Sequence, residues 1–197
     1  MSFGLPGRGR RARTAWFAAL VLVTAVVLLT LPVSPADTRG CPGATERASE
    51  TTAAELTEAI VCLINAERRE DGLRRLAVDG RLTLARWRHA ADMRDEDYFG
   101  HRSRDGRSFV DRIAQARYFE GHEGDPWTVG ETLVWGRDRD SAAIELVDAL
   151  MDSPAHRRVL LGDAYRALGV GLVRGTPTEH FDGVTVAIDY GSLTSAD

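Results

Sequence analysis

Ser153-Pro154-Ala155-His156-Arg157 is the stretch around which the rest of the chain is organised. Serine can cap a helix N-terminus, and proline fits the first helical position, where the missing amide hydrogen would have no partner anyway. A short helix is therefore expected to begin here with His156 in its first turn. A histidine placed by a cap, rather than hung on a loop, can be aimed, and two companions lie upstream. They are His101 in Gly100-His101-Arg102-Ser103 and Glu131 in Gly130-Glu131-Thr132. Separations of 30 and 25 residues put the three groups on different elements, so only the fold could assemble them.

The 197 residues, 44% of them hydrophobic, suit one packed domain preceded by a targeting segment. Arg8, Arg10, Arg11 and Arg13 precede an uncharged apolar run from Thr14 to Val33, the layout of a signal peptide or a signal anchor. Its length fits a retained membrane helix as well as a cleaved leader, and Ser34-Pro35-Ala36 offers small residues for cleavage after Ala36. Residues 1–36 are read as that segment, 37–52 as a linker, 53–193 as the domain and 194–197 as a tail. Positive-inside logic exports everything after the apolar run, so the expected location is extracellular or in the cell envelope, with membrane contact only through an uncleaved N-terminal segment.

All 25 basic residues are Arg; four precede Asp37 and no acid does, which leaves 21 Arg against 29 acids in the exported part. That balance, near −8, argues against nucleic acid as a partner. Cys41 and Cys62 are the only cysteines, and an even pair in an exported protein suggests a disulfide; two unpaired thiols are the other reading. Thr38-Arg39-Gly40 before Cys41 is too polar for a lipoprotein signal.

Thr52-Ala53-Ala54-Glu55 has capping-box form, and Leu56, Ile60, Leu63 and Ile64 follow at helical spacing, which predicts a helix from about Ala53 to Asp71. A second runs from Asp79 or Gly80 to about Asp97, with Leu82, Ala85, His89 and Met93 on its inner face and its arginines in solvent. A third is expected over Ser108 to Arg117 and a fourth over Ser141 to Met151. The glycine-rich, acidic stretch from Tyr118 to Trp127 reads as a surface loop, and Thr128 to Trp135 as an extended segment carrying Glu131. Leu168–Arg174 and Val184–Tyr190 read as antiparallel strands. Helices around such a sheet give the α+β class, a three-layer α/β/α sandwich with a small, mainly antiparallel sheet.

In order along the chain, these motifs resemble the bacterial form of the CAP superfamily, also called the SCP/PR-1-like or cysteine-rich secretory protein family. The residues are Leu63-Ile64-Asn65-Ala66-Glu67-Arg68, Gly72-Leu73 with Leu76, Gly100-His101-Arg102-Ser103, Asp105-Gly106-Arg107-Ser108, Gly130-Glu131, Ser153-Pro154-Ala155-His156-Arg157, Gly169-Val170-Gly171 and Asp189-Tyr190-Gly191. The resemblance covers about residues 53 to 193. It implies an α-β-α sandwich with a cleft of two histidines and acidic residues, and places His101, Glu131 and His156 in that cleft. The chain departs from the family where a second cleft Glu is usual, which is Ser153 here, with Leu150 at the accompanying Trp. Thr132 replaces a common Asn, and Val184-Thr185-Val186-Ala187-Ile188 stands where many bacterial relatives keep Trp and Gln. Asp152, Asp148 and Glu145 are the acids near the missing Glu.

Two converging neutral imidazoles can bind Zn²⁺, so His101 and His156 are the candidate metal ligands of a weak, exchangeable site. Glu131 is the candidate catalytic residue, as third ligand, as the group that orients an imidazole, or as base on a metal-bound water. Three readings remain open. The first is a binding module for a divalent metal, small molecule, lipid-like or envelope ligand. The second is a metal-assisted hydrolase or peptidase using His101, His156 and Glu131. The third is a non-catalytic scaffold whose polar cluster satisfies buried groups. Ser103 and Ser153 read as turn and cap residues; His89, His122 and His180 as structural or solvated; Arg157 and Arg158 as solvent-facing. For Trp127 and Trp135, which bracket Glu131, core packing is expected of at least one.

Overall fold

The computed structural model describes residues 39–194. The expected signal segment, residues 1–36, lies outside them. Among the described residues no helix is long and apolar enough to cross a membrane.

Helix α1 spans Ala53–Glu70, and its capping box is formed: Glu55 N donates to Thr52 Oγ1 at 3.2 Å while Thr52 N donates to Glu55 Oε2 at 2.9 Å. The Asn65-Ala66-Glu67-Arg68 motif does structural work on its far turns. Asn65 pairs through its side-chain amide with both backbone groups of Leu76. Arg68, fully buried, donates to the carbonyls of Arg74, Leu160 and Gly162.

Strand β1 is the two-residue Ala77–Val78, and α2 follows over Gly80–Asp95, capped by Asp79. Helix α3 is Phe109–Gln115, β2 Trp127–Arg137, α4 Ala143–Asp152, α5 Pro154–Leu160, β3 Ala167–Arg174 and β4 Gly183–Leu193. The sheet order is β1-β3-β4-β2; β1 lies parallel to β3, and β3–β4 and β4–β2 are antiparallel. This is the expected α+β architecture with a mainly antiparallel sheet, and the pairing of Leu168–Arg174 with Val184–Tyr190 is part of it.

Alternation along the strands divides the core. Leu168, Val170 and Leu172 of β3, with Val184, Val186, Ile188 and Tyr190 of β4, meet α1, α4 and α5 on one face. The other face carries α2 and α3, against Leu82, Ala85, Ile113 and Tyr118 near one end and Met93, Leu133 and Ala187 near the other. Gly169 and Gly171 face α2, and a β-carbon at either would collide with that helix's backbone, so α2 lies unusually close to the sheet.

Several expectations change at this level. The segment read as a linker packs into the domain from Arg39 onward: Cys41, Ala44 and Ala48 are buried in the larger core cluster. Ala48 N donates to Ser141 Oγ at 2.9 Å, and Ile144 N to Ala44 O at 2.9 Å. Its small residues bury without any periodicity, which is why composition read it as a linker. Tyr118, read as loop surface, is buried against Gly191. Trp127 is half exposed and Trp135 half-buried, so neither belongs to the deep core. Ser153 takes the N-cap position of α5 without a capping hydrogen bond from its side chain; Pro154 at the first helical position starts the helix.

Cys41 and Cys62 are disulfide-bonded, closing a 21-residue separation and fastening the packed segment to α1. A loop of that length should restrict the unfolded chain by about 3 kcal/mol. Replacing both cysteines with alanine is expected to lower the unfolding free energy by that amount, measured by chemical denaturation, while leaving the native fold intact.

Candidate functional site

The site begins with a residue that ordinary helix reading puts in water. Arg86 lies on α2 but is fully buried, on the stripe of Leu82, Ala85, His89 and Met93. The close approach of α2 brings its guanidinium over Glu131 of β2 and Asp189 of β4, which are register partners. Arg86 Nη1 contacts Glu131 Oε2, and Nε lies 2.5 Å from Asp189 Oδ2. These are ion pairs by distance; neither Asp189 oxygen has a hydrogen bond of good geometry. Burial pushes the Asp189 carboxyl up to about 7 against the pull of Arg86 and Arg112, and lowers Arg86 to about 10, which leaves the guanidinium charged at neutral pH.

Arg112 of α3, also buried, completes the cluster. Its Nη2 donates to Glu131 Oε2 at 2.9 Å and to the His101 carbonyl at 2.8 Å; its Nη1 donates to Ser103 Oγ at 3.0 Å and the Arg107 carbonyl at 3.1 Å. One guanidinium thereby holds both the carboxylate and the loop that carries His101. His89 steadies the same loop: its Nε2 donates to the Gly100 carbonyl at 3.0 Å. Burial, with Arg112 and Arg86 nearby, brings the His89 imidazole down to about 3, so it is neutral.

Glu131 has a side chain only 1% exposed and a second oxygen facing outward, to which His101 Nδ1 donates at 2.6 Å. That bond fixes the tautomer, because a carboxylate accepts and the proton must be on Nδ1. The His101 side chain is 59% exposed, and Nε2 keeps its lone pair. Burial, His156, and the charges of Arg112 and Arg86 together hold the imidazole below its ordinary value. His156 sits at the third position of α5, half-buried and near enough to His101 to be felt electrostatically, with no hydrogen-bond partner among the described residues. The structure thus joins His101 to Glu131 directly, and His156, on α5, is linked to them by its electrostatic effect on the His101 ring.

The acids near the missing family Glu are engaged elsewhere or point outward. Asp148 pairs with Arg39 at 3.1 Å, Glu145 accepts from the Ala142 amide at 3.2 Å, and Asp152 is exposed. Among the described residues no three His, Cys, Asp or Glu side chains are grouped so as to hold a metal. His122 pairs with Asp125 and His180 with Asp97, while Arg157 and Arg158 are exposed. Sequence reading missed Arg86, Arg112 and Asp189. The one available signal was position: Arg86 sits on the apolar stripe of its helix, where a charge requires a buried partner.

The profile of the cysteine-rich secretory protein family, CAP, matches residues 61–190, and the chain belongs to this family. Its relatives include YlbC, an uncharacterized membrane protein of Bacillus subtilis, 33% identical over 122 residues; the match covers 62% of this chain and 33% of YlbC. Among solved structures, an extracellular SCP-domain protein of Bacillus anthracis aligns with a TM-score of 0.54 at 22% identity, over 71% of this chain and 43% of its own. An outer surface protein of Borrelia burgdorferi aligns with a TM-score of 0.59 at 17% identity, over 71% of this chain and 94% of its own. At these identities the structures establish the shared fold. The chain spans a third of the length of YlbC.

Arg86→Met would leave two buried carboxylates with a single guanidinium between them, and is expected to cost about 3–5 kcal/mol in denaturant melts; adding Asp189→Asn should return part of the loss. The histidines set an acid limb. His89 and His101 both have folded values below the ordinary 6.5, so the stability they contribute is complete above that pH and is lost as pH falls. Asp189, raised to about 7, works in the opposite direction over the same range, so the decline between about pH 6.5 and 4.5 is expected in melts of the Asp189→Asn variant, which lacks that opposing group. His89→Gln is expected to flatten most of it.

Proposed function

We propose that this chain is an extracellular or cell-envelope binding module in which His101 and His156 together hold a divalent cation such as Zn²⁺, with water or a polar group of an envelope ligand completing its coordination. The observation that carries this reading is the orientation of His101: Glu131 accepts from Nδ1 and leaves Nε2 with its lone pair, while His156 acts electrostatically on the same ring. The donor set fits a cation held by two imidazoles and lacks a third protein ligand, which agrees with weak, exchangeable binding. Such an ion would act as a Lewis acid on a bound carbonyl or phosphoryl oxygen.

Within this reading Glu131 orients His101 and keeps its tautomer. Its oxygens are committed to His101, Arg112 and Arg86, so it is not free to serve as a base on a water. Ser103 is buried and accepts from Arg112, which suits a loop anchor better than a nucleophile. The extracellular part of the reading draws on the arginine-led apolar run, on the disulfide, and on relatives described as extracellular or outer-surface proteins.

Calorimetric titration of Zn²⁺ into the metal-free, full-length chain should give saturable binding that disappears in His101→Ala/His156→Ala. Glu131→Gln should weaken it by about tenfold or more, as loss of an outer-shell partner does. A folded wild type that takes up no Zn²⁺ would overturn the cation reading.

A further inference from the structure

Arg112 has a second setting. Between α2 and α3 lies a recess of about 140 Å³, lined by Arg88 and Asp92 of α2, Ser103 and Arg107 of the intervening loop, and Arg112 and Gln115 of α3. His101, Glu131 and His156 do not line it.

Three arginines line it together with one carboxylate, Asp92, which already accepts from the Tyr98 hydroxyl. Arg107 is held in place from two sides: Nε donates to Asp105 Oδ2 at 2.6 Å and Nη1 to Gln115 Oε1 at 2.6 Å. Because Gln115 accepts through its oxygen, its amide hydrogens remain to donate. Arg88 is exposed and forms no ion pair among the described residues. Arg112 is 5% exposed, and its Nε is buried without a hydrogen-bond partner. Asp105 and Glu131 already pair with Arg107 and Arg112, whereas Arg88 brings a charge that a small anion could match. Planar N–H forks suit the oxygens of phosphate-type anions. The recess is roomier than a single water, which occupies about 30 Å³ of liquid, and so admits a tetrahedral oxyanion.

We propose that this recess is a binding site for a small oxyanion of the size of inorganic phosphate, clasped by Arg88 and Arg107, with the Gln115 amide donating and Arg112 supplying charge beneath. The site is independent of the cation reading and is testable on metal-free protein. Since Arg112 also holds Glu131 and the His101 carbonyl, occupancy should register at the His101 ring.

The test is titration of inorganic phosphate into the metal-free, full-length chain at ionic strength matched with chloride, read by calorimetry and by the His101 ring signals in NMR. Saturable binding is expected, with a His101 shift that saturates at the same concentration. Arg88→Gln/Arg107→Gln should weaken it at least about tenfold, as loss of charge-assisted hydrogen bonds does. Arg139→Gln, an exposed arginine elsewhere, should leave it unchanged. Methyl phosphate separates the sources: equal affinity assigns a monoester terminus, and exclusion assigns the free ion. Absence of saturation in folded wild type, or equal affinity in the double variant, would overturn the proposal.

Discussion

The arrangement depends on one buried guanidinium. Arg86 bridges two carboxylates contributed by adjacent strands, Glu131 and Asp189, in a region from which water is excluded, with Arg112 as the second counter-charge. A charge taken out of water costs several kcal/mol, and only close opposite charges offset it. The surroundings follow from that requirement. Helix α2 must lie close enough for a side chain to reach both strands, which demands glycine at 169 and 171. The carboxylates must be opposite one another across the β2–β4 register, which they are. Alter either and a buried charge loses its counterpart.

From this pair the order spreads outward one contact at a time. Arg86 holds Glu131, Arg112 holds Glu131 and the His101 loop together, and Glu131 holds the imidazole. The exposed reactive group is thus the last member of a chain whose other members are almost entirely buried. That gives His101 a defined direction although more than half of its side chain meets solvent. Positioning of this kind differs from placing a histidine on a free loop, where the entropy of aiming it would oppose every binding event.

Much of the fold was legible because it rests on local signals. The capping box at Thr52, the apolar stripe of α1 and the β-branched runs near the C-terminus each declare an element without reference to the others. The site was legible only in part. His101, Glu131 and His156 were found through motifs and their order along the chain, not through chemistry that spacing could reveal. Arg86 and Arg112 remained hidden because helical arginines usually lie in water, and Asp189 because a buried acid in a strand has meaning only beside its counter-charge. Residues 39–52 were misread for a related reason: small side chains such as Ala44 and Ala48 bury against neighbours far away in sequence and leave no period to detect.

The two imidazoles reach the edge of the sheet from different layers. His101 belongs to the α2–α3 side, through Glu131, and His156 to the layer of α4 and α5. A ligand that gripped both rings would therefore act as a cross-tie between the two helical layers. Its grip on the native chain would add to the resistance to unfolding, by about 2.7 kcal/mol at a hundred times its dissociation constant. A domain built this way would report occupancy through its hardness, and be toughest in surroundings where such a ligand is abundant.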